Sequence, residues 1–257
     1  MHVLHFGCGW DRTGVVPVVE GAGAEIVGVE VDAAAASRYP AEVCVTDGRR
    51  LPFSDGCFDV VASEYVFEHL VDPALAFHEI ARVLRPGGTL VVLTPNRWSY
   101  KSVVAALTPK WFHDFAARHL RPDARDPQDV YPTFYRANTE RDLRHLGAAA
   151  GLRLVHLEYM NNGPTWFRKL PVVHGAAHTY HIALRHRSLR RLRCGLLARF
   201  VKPQHWYVDS ERRPFAYRCT QCTYAPMTVE STCVRCPRCG HVFARDGRTT
   251  DTRSPRG

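Results

Sequence analysis

The 257-residue chain contains no run of eighteen apolar residues, so no transmembrane helix is expected. It does not open with a charged region followed by an apolar one, which argues against a secretory signal, and the expected location is the cytoplasm. Internal repeats are absent, so nothing points to a repeat architecture. Acidic residues are scarce in the last third. Residues 164–257 hold 18 Lys and Arg against 5 Asp and Glu, whereas residues 1–163 hold 16 against 20. The whole positive excess therefore sits at one end. A nucleic acid or membrane surface as partner fits that asymmetry, and so does a solvated arginine-rich surface. Apolar residues make up 46% of the chain, enough for a true core. The length suits one large domain or two small ones.

Cysteine is plentiful but unevenly placed. Cys8, Cys44, Cys57 and Cys194 stand singly in apolar contexts and read as buried free thiols. The other five lie between 219 and 239. Cys219-x2-Cys222 is followed by Cys236-x2-Cys239, and two such pairs supply four thiolates for tetrahedral Zn2+. Cys233 also forms a CxxC with Cys236, so the ligand set is not unique. Cys219, Cys222, Cys236 and Cys239 are favoured because Gly240 follows the last as a knuckle turn prefers, and Cys236-Pro-Arg-Cys239-Gly240 resembles a zinc-ribbon knuckle. A disulfide framework would leave one of the five unpaired. A redox-active pair would lack a βαβ setting of its own. Four thiolates leave no open position, so this zinc would be structural.

The most informative stretch runs from Asp47 to Asn96. An acidic residue closes a short apolar run, EVCVTD. A buried strand, FDVVAS, follows. Then comes a helix ending at Leu84-Arg85-Pro86-Gly87-Gly88, and a second buried strand, TLVVLTPN. Strand, helix and strand in about fifty residues make a parallel crossover unit. Near the N-terminus, the apolar run HVLHF meets Gly7-Cys8-Gly9, a turn that lets backbone approach a ligand. A second run, AEIVGVEVD, ends in Glu30 and Asp32. An acidic group there can accept hydrogen bonds from ribose hydroxyls, and Asp32 reads as the cap of the next helix.

Together these pieces resemble the class I S-adenosylmethionine-dependent methyltransferases, in the branch that holds the ubiquinone and menaquinone biosynthesis enzymes. The matching segments are Asp47-Gly48, Leu51-Pro52-Phe53, Phe58-Asp59-Val60-Val61, Glu68-His69-Leu70 and Arg82 to Gly88, in order and at the right spacing. The resemblance implies an α/β fold, a Rossmann-like seven-stranded methyltransferase sheet with helices on both faces, here with a small C-terminal zinc ribbon. It implies S-adenosyl-L-methionine as cofactor, with Gly7, Cys8 and Gly9 at the loop, Glu30 on the ribose, Asp47 on the adenine amino group and Gly48 under the ring. Ser63 and Glu64 would end the fourth strand beside the methionine moiety. The chain departs from the pattern at His5, where an acidic residue usually stands, and at Asp11, where a third glycine is common. Met1 begins almost on the first strand, so an upstream start or another covering segment is expected. The expected boundaries are a methyltransferase domain over 1–202 with a lid over about 97–135, a linker over 203–214, a zinc ribbon over 215–245 and a disordered tail over 246–257.

Methyl transfer to oxygen or to an acidic carbon needs a base. His69 is the favoured candidate, with Tyr65 and Glu68 as neighbours, since histidine titrates near neutrality. It reads equally as a helix-start residue packed on Pro73. Because Tyr65 replaces a further acidic residue of the quinone O-methyltransferase pattern, no metal is expected there. Aromatics at Trp98, Tyr100, Trp111, Phe112, Phe115, Tyr131, Phe134 and Tyr135 suggest a flat or apolar acceptor, or a lid packed on the sheet. His113, Tyr135 and Arg136 are further candidates for acceptor contact. Three functions follow: a methyltransferase for a small-molecule acceptor, an RNA methyltransferase gripping phosphates with the basic third, or a non-catalytic interaction module.

Overall fold

Seven runs rich in apolar residues form strands. They are β1 (His2–Phe6), β2 (Glu25–Glu30), β3 (Glu42–Val45), β4 (Phe58–Glu64), β5 (Leu84–Pro95), β6 (Arg153–Met160) and β7 (Gly195–Val201). Most residues are buried in β1 to β4 and β7, alternate residues are buried along the second half of β5, and β6 is only partly covered. The structure is a computed structural model and describes residues 1–11, 14–108, 131–161, 171–204 and 214–253. The strand order is β6-β7-β5-β4-β1-β2-β3, parallel from β5 to β3, with β7 antiparallel between β5 and β6. The seven-stranded methyltransferase sheet that the resemblance implies is present, with its last strand inserted antiparallel. Alternate side chains feed two apolar layers. Leu4 and Phe6 enter one with Phe77, Ile80 and Phe200, while Val3 enters the other with Ile26 and Tyr39.

The helices are α1 (Val15–Gly21), α2 (Ala33–Ser37), α3 (Pro73–Val83), α4 (Tyr100–Leu107), α5 (Glu140–Ala149) and α6 (Pro171–Ala183). Asp32 caps α2 through Ala34 N, as its sequence position suggests, and Thr139 caps α5 through Asp142 N. In α3, Asp72 accepts from Ala74 N and Leu75 N, Pro73 opens the first turn, and Ala76, Phe77, Ile80 and Ala81 face inward. The helix stops at Val83, slightly earlier than its Pro86-Gly87 signal. A Cβ on Gly88 would lie 2.8 Å from the Arg85 carbonyl and 3.1 Å from that of Asp59, so the chain must be bare there.

The Arg82 guanidinium explains why Leu51-Pro52-Phe53 and Arg82 occur together. It donates to the carbonyls of Phe53 (2.7 Å) and Leu51 (2.8 Å) and pairs with Glu79 and Asp55, while Glu79 accepts from Leu51 N (2.7 Å). These two motif pieces are a clamp on the 51–55 segment.

Two boundaries differ from expectation. Residues 246–257 do not all form a tail. Val242–Asp246 is β10 and Thr249–Asp251 is β11, and β11 pairs in parallel with β3. With β8 (Thr228–Val229) and β9 (Cys233–Arg235), the C-terminal module extends the sheet to eleven strands through β11-β10-β9-β8. A free edge on β3 would leave a row of backbone groups unpaired, and β11 satisfies them. The ribbon therefore runs past its expected end at 245. Residues 109–130, with Trp111, Phe112, His113 and Phe115 of the expected lid, lie outside the described residues. So do 205–213 of the linker and 254–257.

One packing consequence is directly testable. Gly147 in α5 presses on the buried Phe200 ring, whose Cδ1 would lie 2.8 Å from an added Cβ. Gly147→Ala is expected to cost about 1–3 kcal/mol by overpacking, and thermal unfolding should show Tm lowered by about 2–10 °C.

Candidate functional site

β1 and β4 are adjacent although β2 and β3 lie between them in sequence, so the strand order reverses at this pair. Ligand crevices in open α/β sheets form at the carboxyl ends of strands at such a switch point. Gly7 and Gly9 end β1 there with φ of 70° and 53°. A side chain on Gly7 would strike Val66, whereas nothing lies within 4 Å of a Cβ built on Gly9. The Gly9 backbone thus borders open space a ligand can enter.

Glu30 holds this loop. Its carboxylate is buried and accepts from Gly9 N (2.8 Å), Val31 N (2.8 Å) and Asp32 N (3.2 Å). A carboxylate offers about four acceptor positions, so capacity remains for a hydroxyl donor. At the end of β3, the Thr46 hydroxyl accepts from Gly48 N (3.4 Å), and Asp47 is exposed with Oδ1 accepting from Arg49 N (3.0 Å). Gly48 has φ 75°, and a Cβ there would lie 2.8 Å from the Phe6 ring. Across the cleft, Ser63 is buried in β4 and its Oγ meets no hydrogen-bond partner among the described residues. Glu64, half-buried, closes that strand. Tyr65 follows in the left-handed region (φ 56°), 43% exposed, a conformation an aromatic residue seldom adopts outside constrained sites.

Two loop residues behave differently from the sequence expectation. The Cys8 thiol turns away from the cleft, 2.6 Å from where a Gly28 Cβ would stand, and burial pushes it well above the usual thiol range. Cys8 can therefore offer a ligand only its backbone. His5 lies in the same apolar layer, its Nδ1 3.2 Å from the Tyr39 hydroxyl. Burial lowers its pKa to about 4, only partly opposed by Asp11. Asp11 takes φ 58°, where the third glycine would stand, and its carboxylate accepts from Val15 N (2.8 Å) and Val16 N (3.1 Å) at the start of α1. Aspartate tolerates that conformation better than most residues.

The His5 shift has a signed consequence. Its folded pKa lies below the ordinary histidine value, so only the unfolded chain takes up the proton between pH about 6.5 and 4. The stability contribution is complete above that window and is lost as pH falls through it. From pH 7.5 to 4.5 the loss should be about 2.5 kcal/mol. Urea titrations at the two pH values should show a smaller drop for His5→Gln than for the unaltered chain.

On the β4 side, a 3-10 turn (Phe67–His69) carries Glu68 and His69. His69 Nδ1 lies 2.9 Å from the Pro132 carbonyl, which can only accept, so Nδ1 carries the proton and Nε2 the lone pair. Nε2 is 3.8 Å from Glu68 Oε1. Glu68 is buried, its Oε2 3.3 Å from the Thr94 hydroxyl, which in turn accepts from Asn138 Nδ2 at 2.6 Å. Residues 131–135 cross the cleft. Phe134 N and Tyr135 N donate to the Glu68 carbonyl, the Tyr131 ring packs on His69, and the Tyr131 hydroxyl reaches Asp32 Oδ2 at 3.3 Å. Tyr131 therefore links the last residue of the 3-10 turn on the β4 side to the cap residue that follows β2. Arg136 donates to the Val71 carbonyl, outside this cleft. Sequence reasoning missed Thr46, Thr94 and the packing role of Asn138. Only Thr46 had a local signal, a hydroxyl before Asp-Gly.

The cysteines of the C-terminal module converge separately. The sulfurs of Cys219, Cys222, Cys236 and Cys239 all lie within 4.8 Å of one another, with Cys219–Cys239 at 3.7 Å and Cys222–Cys236 at 3.5 Å. Zn–S bonds of about 2.3 Å in a tetrahedron require sulfur separations of about 3.8 Å. Cys233 turns aside to Glu230 Oε2 at 3.2 Å. Gly240 (φ 76°) returns its amide to the Cys236 carbonyl, and Cys222 N points at Cys219 Sγ, 3.5 Å away.

A family model described as a methyltransferase domain matches residues 4–92, from β1 through most of β5. These residues form a methyltransferase domain. Among curated relatives, this domain is similar to a probable S-adenosylmethionine-dependent methyltransferase of Mycobacterium tuberculosis, 39% identical over 111 residues, 38% of this chain and 37% of that protein. It is also similar to the demethylmenaquinone methyltransferase of Mycolicibacterium gilvum, 43% identical over 74 residues, 28% of this chain and 32% of that one. The chain thus spans about a third of the length of these curated relatives. Among solved structures, a chain of the complex between the Haloferax volcanii Trm112 methyltransferase activator and the putative methyltransferase shares the fold of the methyltransferase domain. Its TM-score is 0.52 at 19% identity, over 79% of this chain and 83% of that one. A methyltransferase of Methanosarcina mazei aligns at TM-score 0.50 and 18% identity, over 79% and 93%.

Proposed function

We propose that the chain is an S-adenosylmethionine-dependent methyltransferase acting on a small-molecule acceptor, with a structural zinc in its C-terminal ribbon. The observation that carries the reading is the Gly7-Cys8-Gly9 loop tied by Glu30 at the sheet's switch point, inside the methyltransferase domain. Glu30 would take the ribose hydroxyls, Asp47 the adenine amino group, and Gly48 would lie flat under the ring with Phe6 behind it. Ser63 Oγ, buried without a partner among the described residues, is suited to the polar methionine end, beside Glu64. When bound, the cofactor supplies an electrophilic methyl group on a sulfonium. His69 Nε2 would receive the acceptor's proton, Glu68 would steady the charged ring, and the roof from Tyr131 to Tyr135 would exclude water. The acceptor would lie among exposed aromatics at the strand ends, Tyr65, Trp98, Tyr131 and Phe134, which suit an apolar or flat molecule. The four thiolates fit zinc in number and spacing, and leave it no open position.

An RNA acceptor is the second reading, favoured by the exposed basic stretch Arg185 to Leu192. Incubating purified protein with a source-cell lysate and tritiated S-adenosylmethionine separates the two. Label in the organic-extractable fraction supports the small molecule, and label in RNA overturns it. His69→Gln is expected to cut transfer about 100-fold or more while cofactor binding persists. Unchanged transfer would remove His69 as the base.

A further inference from the structure

The ribbon does more than sit beside the sheet: residues of its last strand and knuckle reach both ends of the adenosine cleft. Thr252, just past β11, donates from N (3.1 Å) and from Oγ1 (2.9 Å) to the Val45 carbonyl, the residue before the Thr46-Asp47-Gly48 turn. Arg253, held by Asp251 at 2.6 Å, extends Nη1 to the Val31 carbonyl (3.4 Å), between Glu30 and Asp32. From the other direction, Arg50 donates to the Thr220 carbonyl inside the first knuckle (3.4 Å). Tyr217, two residues before Cys219, bonds Glu42 and Cys44 of β3, and its bridge to Phe53 is flanked by Ser54 N→Ala216 O and Arg218 N→Pro52 O, both 2.9 Å. The 46–55 segment is therefore gripped between α3 and the ribbon.

The ribbon's own strands span two to five residues, too short to hold themselves together without a cross-link. We propose that Thr252 and Arg253 are positioning residues of the cofactor cleft, and that metal in the four-cysteine site sets cofactor affinity through them. This rests on the cofactor and zinc assignments above. Metal orders the knuckles, the knuckles hold β10 and β11 in register, and β11 fixes the carbonyl ends of β3 and β2 that present Asp47 and Glu30. Coupling of this kind is reciprocal, so cofactor binding must tighten metal binding by the same factor.

The experiment measures S-adenosylhomocysteine affinity by calorimetry on the full chain, zinc-loaded and after chelation, with circular dichroism confirming that the sheet persists. About a tenfold weakening on metal removal is expected. A Thr252→Val/Arg253→Ala double variant decides the matter if the chelated protein unfolds. It should keep stoichiometric zinc and a Tm near that of the unaltered chain, yet bind S-adenosylhomocysteine about tenfold more weakly. Its KM for S-adenosylmethionine should rise with kcat unchanged. In the reverse direction, saturating S-adenosylhomocysteine should slow zinc transfer to a chromogenic chelator. Equal affinity in the double variant overturns the coupling. Absence of S-adenosylhomocysteine binding to the zinc-loaded unaltered chain overturns the cofactor reading instead, and purified protein without stoichiometric zinc overturns the metal reading.

Discussion

Glu30→Ala is expected to raise the dissociation constant for S-adenosylhomocysteine at least about 100-fold. Hydrogen bonds to a charged group contribute about 1.5–3 kcal/mol each, and Glu30 would lose its bonds to the ribose. It would also release Gly9 N, Val31 N and Asp32 N, the three amides that fix the glycine loop against the end of β2. The loop would then have to be ordered by the ligand, which weakens binding further. Glu30→Gln keeps one acceptor oxygen and should fall between the two. Calorimetric titration checks both variants. Near-native affinity in Glu30→Ala would mean that the adenosine end binds elsewhere.

The second large effect concerns the cysteine cluster. Cys236→Ser should abolish zinc retention and lower Tm of the whole chain by more than about 10 °C, in one transition. The size follows from two facts. Structural zinc sites carry about 10–16 kcal/mol of apparent binding free energy, and each kcal/mol moves Tm about 2–4 °C in a chain of this length. The single transition follows from packing. Cys219, Cys236, Tyr217, Val234 and Phe243 belong to the same apolar cluster as Phe53, Phe58 and Phe77. The Phe53 ring lies 5.1 Å from Phe58, 5.6 Å from Phe215 and 6.1 Å from Tyr217, so it joins the ribbon to the sheet. Melting followed by far-ultraviolet dichroism and by aromatic fluorescence should coincide. A ribbon that melts alone, leaving the main transition in place, would show two independent modules.

Local chemistry determined much of this protein. The glycine loop after an apolar run, the acidic end of the second strand, the Asp32 cap and the paired CxxC spacing each depend on a few neighbouring residues. Each stands in the structure where the sequence put it. The Arg82 to Gly88 motif was legible as a helix end, but its clamp on Leu51 and Phe53 was not, because a guanidinium's partners are chosen in space.

Only the tertiary structure decided the rest. Gly240 already favoured Cys239 over Cys233 in the sequence, and the fold adds the turn that sends Cys233 to Glu230. His5 and Cys8 sit beside a ligand loop in sequence, yet both side chains enter the apolar layer under β2. The polar run Gly247 to Asp251 has the composition of a tail, with too little apolar surface to predict a strand. It becomes β11 because the β3 edge offers unpaired backbone groups and the ribbon delivers it there. That pairing joins Val43 to Thr249, some two hundred residues apart, and no local pattern encodes a contact whose free energy exists only once both partners are already held in place.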